Sequence, residues 1–459
     1  MSDRTSRLLA TYATGVAWDE LPAETVHEVR RRIVDSIGVA MAAFDEDSPV
    51  ATRAYARTHP GDATVWGTTD RSAAEAAGFA NGVAVRYLDF NDTYLSLEPL
   101  HPSDVIPPLV ALAEARGIGP RDVFTGIALA YEIGVTLCDA ASLRAHGWDH
   151  VNYIAIGVAC GAGRMLGLDA RTIEHAISIA TVPHAAMRQT RAGELSMWKG
   201  AAAANAARNA LFAVALAEAG MTGPYEPFEG EMGFFAQLLG GDRFDDAAVA
   251  GLEAGAPPRR ILDTYIKFWP VEYHAQSAVD AALQLREALG GNPSRIATVR
   301  IDTFRASYEI IAKDPEKWDP KTRETADHSL QYIVCAALLD GEVTMDTFDL
   351  GRIRDPRTLA MLRDAVTLEE DAVLTAGYPE GIPNRITVTT ADGETLVREV
   401  AFPRGHARNP MSDDEVMAKF HPNVAKRWSD EQATRVADLA WHLDEQPTVD
   451  GLVAAMGGS

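Results

Sequence analysis

Residues 199–219 read KGAAAANAARNALFAVALAEA, and residues 154–166 read IAIGVACGAGRML. Both stretches are apolar nearly all round and rich in Ala and Gly. Helices of that kind are buried on every side, and small residues let their neighbours approach closely. They predict an interior layer of helices. Outward from this layer the helical period persists from Pro22 to about Gly240. Val26, Val29, Ile33, Val34, Ile37 and Met41, for example, recur at three- and four-residue spacings along one helix face. This part of the chain reads as all-α. The glycine-rich GVACGAGRMLG has no strand before it, so close helix packing explains it better than a dinucleotide loop.

The pattern changes at Ala254–Arg260 (AGAPPRR). A helix from about His274 to Leu289 follows, stopped by Gly290-Gly291. Arg295–Phe304 alternates at period two and reads as a strand. Asn384–Thr390 and Thr395–Phe402 flank Ala391-Asp392-Gly393, a β-hairpin signal. Helical stretches lie between, around 325–340 and 356–366. After Pro403 the chain turns helical again: Ser412-Asp-Asp-Glu415 and Ser429-Asp-Glu-Gln432 are two expected capping boxes. The expected organisation is a helical part over 1–266, an α+β part over 267–402, and helices over 403–459 that return to the first domain. The tail MGGS is expected to fray.

Lys+Arg 42 against Asp+Glu 65 gives a net charge of −23, which argues against broad contact with nucleic acids or anionic membranes. An anionic substrate then needs a local basic pocket. A hydrophobic share of 47% excludes a chain disordered along its length. No uninterrupted apolar run of about 18 residues occurs and the N-terminus has no signal-peptide pattern, so the cytoplasm is the expected compartment. Cys138, Cys160 and Cys335 form no CxxC pair and read as buried thiols. GxxxxGK[ST], HExxH and GxSxG are all missing, and no cofactor is implied.

Chemistry is left to polar segments that interrupt an apolar chain. Asp89-Phe-Asn-Asp92-Thr93 precedes His101-Pro-Ser-Asp104 and reads as a loop facing a cleft, or as a plain turn and helix cap. No second His follows at three or four residues, which argues against a metal there. Trp148-Asp-His150-Val precedes a buried helix. Arg188-Gln-Thr-Arg191-Ala-Gly-Glu194 leads to Lys199, which enters an apolar helix and must snorkel, pair or face a ligand. Lys267-Phe-Trp-Pro-Val-Glu-Tyr-His274-Ala-Gln276 lies near the change of domain. Asp327-His328-Ser-Leu-Gln-Tyr332 opens an apolar helix, and Arg404-Gly-His406-Ala-Arg408 lies at the return. Such a set suits a small polycarboxylate: Lys and Arg clamp carboxylates, while His, Lys or Tyr moves protons.

These segments, in this order, resemble the MmgE/PrpD family: DFNDT with HPSD, GWDHV, RQTRAGELSMWKGAAAANAARNA, KFWPVEYHAQSAVDAA, DHSLQYIVCAALLDGEV, and YPEGIPNRITV with GHAR. The similarity runs from about residue 5 to 445. It implies a large all-helical domain formed by both chain ends with an inserted α+β lid domain, a site between them without metal or iron–sulfur cluster, and a homodimer. The family's activities include dehydration of 2-methylcitrate, decarboxylation of cis-aconitate and epimerisation of iminodisuccinate. WDHV, DHSLQY and GHAR look most like the dehydratase branch. The family's pocket residues fall on Asp89 or Asp92, Thr93, His101, His150, Lys199, Lys267 and Tyr332; from their charge and place in the motifs, and not from the resemblance, Arg191, His274, His328 and Arg408 are added as further carboxylate contacts. The implied base is His101 or His150, and the implied acid is Tyr332 or the other His. A decarboxylase, an epimerase or a catalytically silent ligand-binding dimer are the alternatives.

Overall fold

Helix α1 (Ala23–Ala42) buries Val29, Ile33, Val34, Ile37 and Met41 on the face that their spacing marks, with Val26 half-buried. Its other face is also covered, although it carries Arg31, Arg32 and Asp35. Arg32 bonds Glu28 at 2.7 Å and Thr264 Oγ1 at 2.8 Å, and Asp35 lies 2.6 Å from Lys419. Charges survive burial there because each has a partner. The computed structural model describes residues 3–192 and 195–457. Glu194 and the last two residues of the tail lie outside them.

The interior layer consists of α2 (Ala74–Arg86), α3 (Ile106–Arg116), α4 (Pro120–Ala140), α5 (Val151–Met165) and α6 (Trp198–Glu218). Pro120 at the start of α4 costs no hydrogen bond, because the first helical N–H groups have no partner in the helix. By length and composition α4 is apolar enough to cross a membrane. Yet 94% of its most apolar window is buried in the protein, as in a core helix. The glycine-rich run lies where α4 meets α5: a Cβ on Gly161 would stand 2.6 Å from the Gly126 carbonyl oxygen. Backbone cannot yield there, so Gly161→Ala should destabilise the fold by about 1–3 kcal/mol, read from the urea midpoint. Cys138, Cys160 and Cys335 are all buried.

The chain divides into two compact units, Met1–Thr264 with Ser412–Ser459, and Tyr265–Met411. Residues 403–411, grouped above with the terminal helices, fall in the second unit. There α7 (Gln276–Ala288) leads to β1 (Ile296–Thr303), α8 (Leu330–Asp340), β2 (Val366–Glu370), β3 (Asn384–Thr390) and β4 (Thr395–Val400). The sheet order is β2-β1-β3-β4; β2 is parallel to β1, and the other neighbours are antiparallel. In β3, Asn384, Ile386, Val388 and Thr390 alternate into the interior. Gly393, with φ 87°, makes the turn to β4. Strand β2 has no counterpart in the sequence reading. Its five residues, VTLEE, include none that is buried, so no buried face stands out.

The first unit closes with α9 (Asp413–Val424), α10 (Asp430–Trp441) and the short α11 (Asp450–Ala455). Ser412 and Glu415 form the expected capping box. The second box is corrected. Ser429 accepts from the Gln432 backbone, but the Gln432 amide donates instead to the carbonyls of Ala455 and Gly457. Those two carbonyls lie at the end of α11 and just beyond it, so the side chain ties down the final segment.

Candidate active site

Arg86 closes α2, and three residues later the backbone passes through the left-handed region at Asp89, φ 52°. A non-glycine residue pays for that conformation, and such strain collects at functional sites. Contacts from two helices hold it: Arg86 Nη1 donates to Asp89 Oδ1 at 2.7 Å, and Lys199 Nζ, from the first turn of α6, to Oδ2 at 3.1 Å. His101 Nε2 stands 3.7 Å from the same Oδ1. The other ring nitrogen, Nδ1, is 2.8 Å from the backbone carbonyl of Asp92. A carbonyl only accepts, so Nδ1 carries the hydrogen and the neutral ring keeps its lone pair on Nε2, towards Asp89.

Asp92 is fully buried and spoken for. It accepts from Ser103 N at 2.8 Å and Tyr131 Oη at 2.7 Å, with Arg32 Nε 3.3 Å away. It fixes the HPSD turn and, through its own carbonyl, the tautomer of His101. Of the two acids that the sequence left open, Asp89 is the one beside His101 and Lys199. Thr93 donates its hydroxyl to Leu100 O at 3.1 Å.

His150 occupies the residue before α5 without capping it. Its Nδ1 is 3.4 Å from Asp149 Oδ1, its Nε2 is 3.4 Å from Arg191 Nη2, and its ring centre is 5.9 Å from that of His101. Burial, then the charge of Arg191, pushes its pKa down to about 3, against the pull of Asp149. His150 is therefore neutral near neutral pH. Arg191, read above as a substrate clamp, donates its Nε to Asp149 at 3.1 Å. Burial alone would raise the Asp149 carboxyl, but His150 and Arg191 hold it below the usual range. The unfolded chain binds a proton on His150 from its ordinary 6.5 downward and the folded one only from about 3. Stability is lost as pH falls through that window, by up to about 1.4 kcal/mol per pH unit. His150→Gln should flatten that slope in urea titrations.

In the second unit, His274 donates Nδ1–H to Glu272 Oε1 at 2.7 Å and its backbone N–H to Oε2 at 2.8 Å. Its Nε2 is buried without a hydrogen-bond partner among the described residues. Burial would raise Glu272, but His274 first, then His328 and Lys267, bring it down to about 2. Lys267 is 1% exposed, and His328 bonds its neighbour Asp327 through Nδ1. Lys267, Glu272, His274 and His328 thus form one electrostatic group. Tyr332 is not part of it, and its expected role as an acid is corrected. Its side chain is in the core of the unit and its hydroxyl donates to Thr347 O at 2.7 Å. Burial pushes its pKa up to about 12. Arg408 is exposed and pairs with Glu380, so it too stands apart.

Arg86, Asp149 and Glu272 were not singled out in the sequence, although two of them lie inside quoted motifs. The signals were present: an Arg ending an apolar helix three residues before Asp89, and carboxylates one or two residues before His150 and His274. Among the described residues no three His, Cys, Asp or Glu side chains converge as metal ligands would.

Comparison with known proteins places the whole chain. The MmgE/PrpD N-terminal domain matches residues 7–247 and the MmgE/PrpD C-terminal domain residues 269–444. The 2-methylcitrate dehydratase of Cupriavidus necator is 32% identical over 91% of this chain and 89% of its own. The 2-methylcitrate dehydratase of Salmonella typhimurium is 31% identical over 83% of this chain and 81% of its own. The cis-aconitate decarboxylase of Homo sapiens is 26% identical over 98% of this chain and 94% of its own. With both domain profiles matched in order, and dehydratase relatives aligned along most of its length, this chain belongs to the MmgE/PrpD family.

Proposed function

We propose that this protein is a hydro-lyase that dehydrates 2-methylcitrate, or a close hydroxy tricarboxylate, to the corresponding cis-aconitate without a metal. The observation that carries the reading is the group around Asp89. A histidine with a fixed tautomer stands beside a carboxylate that is itself held by Arg86 and Lys199. The dehydratase relatives supply the substrate class.

In this mechanism Lys199, Arg86 and Arg191 bind the substrate carboxylates. Nε2 of His101 takes the proton from the carbon that bears the methyl and a carboxylate. That carbon is weakly acidic because its neighbour is already an anion, so cationic stabilisation of the enolate-like charge supplies much of the rate. The electron pair of the broken C–H bond forms the double bond as the tertiary hydroxyl leaves. The proton on His101 passes to the departing oxygen, and water completes the balance. His150, held neutral, orients Arg191 and adds no buried charge. Lys267 and His274 are proposed as further carboxylate contacts. Tyr332 is assigned to the core.

Cis-aconitate decarboxylation is the second reading, supported by the human relative that spans nearly the whole chain. The deciding experiment is proton NMR of chelator-treated protein with 2-methylcitrate, cis-aconitate and iminodisuccinate in turn. Formation of 2-methyl-cis-aconitate, undiminished by chelator, is the expected result. Itaconate from cis-aconitate would replace the dehydratase by the decarboxylase. Activity abolished by chelator and restored by a metal would overturn the metal-free mechanism.

A further inference from the structure

Asp104, the last residue of HPSD, is 1% exposed. The cations around it already hold other acids: Arg86 holds Asp89, Arg191 holds Asp149, and Arg32 approaches Asp92. Among the described residues Asp104 receives one hydrogen bond, from Asn91 Nδ2 to Oδ1 at 3.2 Å, and the same amide donates to Ser103 Oγ at 3.0 Å. Its Oδ2 is buried without a hydrogen-bond partner among the described residues, and so is the Oδ1 of Asn91. Two orphan acceptors therefore sit on two side chains already joined by a bond. An ionised carboxylate would be desolvated there with a single amide donor. One proton on Asp104 removes that charge and adds the donor that the orphans lack.

We propose that Asp104 is a positioning residue kept as a neutral acid, whose ionisation cancels the positive charge available to an anionic substrate. The inference rests on the reading that this cluster binds a polycarboxylate. With Asp104 neutral, and with Arg32 set against Asp92, Arg86, Arg191 and Lys199 are opposed among the described residues by Asp89 and Asp149, so one positive charge is in excess. With Asp104 ionised, none is. The charged and titratable groups around it are Arg32 from α1, Arg86 from α2, Asp89 and Asp92 from the following loop, Tyr131 from α4, Arg191, and His101 on its own turn. Burial is the largest influence and pushes the carboxyl up to about 7, Arg86 and Arg191 pulling against it and Asp92 and Asp89 adding to it. The excess positive charge is thus present below about pH 7 and lost above it.

Two measurements on wild type and Asp104→Asn test this. Isotope-edited infrared difference spectra of protein carrying carbon-13-labelled Asp should show a protonated-carboxyl band that titrates away near neutral pH and is missing from the variant. Asn at this position keeps the shape of the acid but cannot ionise. In parallel, kcat/KM for 2-methylcitrate should fall about tenfold from roughly pH 6 to pH 8.5 in wild type, the order expected of one new charge in a partly buried site. The fall should be missing from Asp104→Asn. An absent band in wild type, or the same band in the variant, overturns the neutral acid. The same alkaline fall in both proteins overturns its control of binding. Should no polycarboxylate be turned over at all, the functional reading fails, and with it the control of binding, while the infrared result separately decides the state of Asp104.

Discussion

Replacing His101 by Asn lowers turnover of 2-methylcitrate by about 10²-fold or more, the usual worth of a positioned general base. The size follows from the division of labour within the ring. Nδ1 is committed to the Asp92 carbonyl, so Nε2 is the nitrogen that can accept, and it lies 3.7 Å from Asp89 Oδ1. Asn keeps a donor for the Asp92 carbonyl but offers no basic nitrogen, so the turn should persist while the base is lost. The signature is a fall in kcat with KM changed far less, at an unaltered urea midpoint. Turnover within a few-fold of wild type would remove His101 from the mechanism and pass the base to another group.

Lys199→Met should cost about 10²–10³-fold in kcat/KM, the range seen when one preorganised charge donor is removed from a transition state. Lys199 is the exposed end of a pair: its side chain is 15% exposed and that of Asp89 is 8%. It can turn from Asp89 to a substrate carboxylate without leaving Asp89 unpaired, because Arg86 stays 2.7 Å from Oδ1. Met preserves most of the apolar stem, so the start of α6 should remain folded. Arg at this position should recover only part of the rate, since its planar fork does not reproduce a compact ammonium. Full activity in Lys199→Met would sink the assignment.

How far the site was legible can be read residue by residue. HPSD, DFNDT and the entry of Lys199 into an Ala-rich helix stood out because polar groups interrupted apolar periodicity. Those interruptions do meet, at Asp89. Tyr332 stood out in the same way, yet its hydroxyl satisfies a carbonyl inside the second unit. A motif position cannot tell a wet tyrosine from one with an internal partner. Arg86 was overlooked because a helix-ending Arg is ordinary until an acid is found three residues on with its oxygen 2.7 Å away.

The sequence by itself determined the buried helices around residues 154–166 and 199–219, the helical face of α1, the hairpin at Asp392-Gly393 and the family. The family rests on the resemblance of the ordered motifs; the others follow from spacing along the chain, where side-chain period and turn chemistry act locally. Only the tertiary structure decided which nitrogen of His101 carries the hydrogen, why His150 stays neutral, that Gln432 ties down the final segment, and that Asp104 and Asn91 share two orphan oxygens. Those properties depend on desolvation and on partners 9 to 41 residues away, and protonation follows three-dimensional distance rather than spacing in sequence.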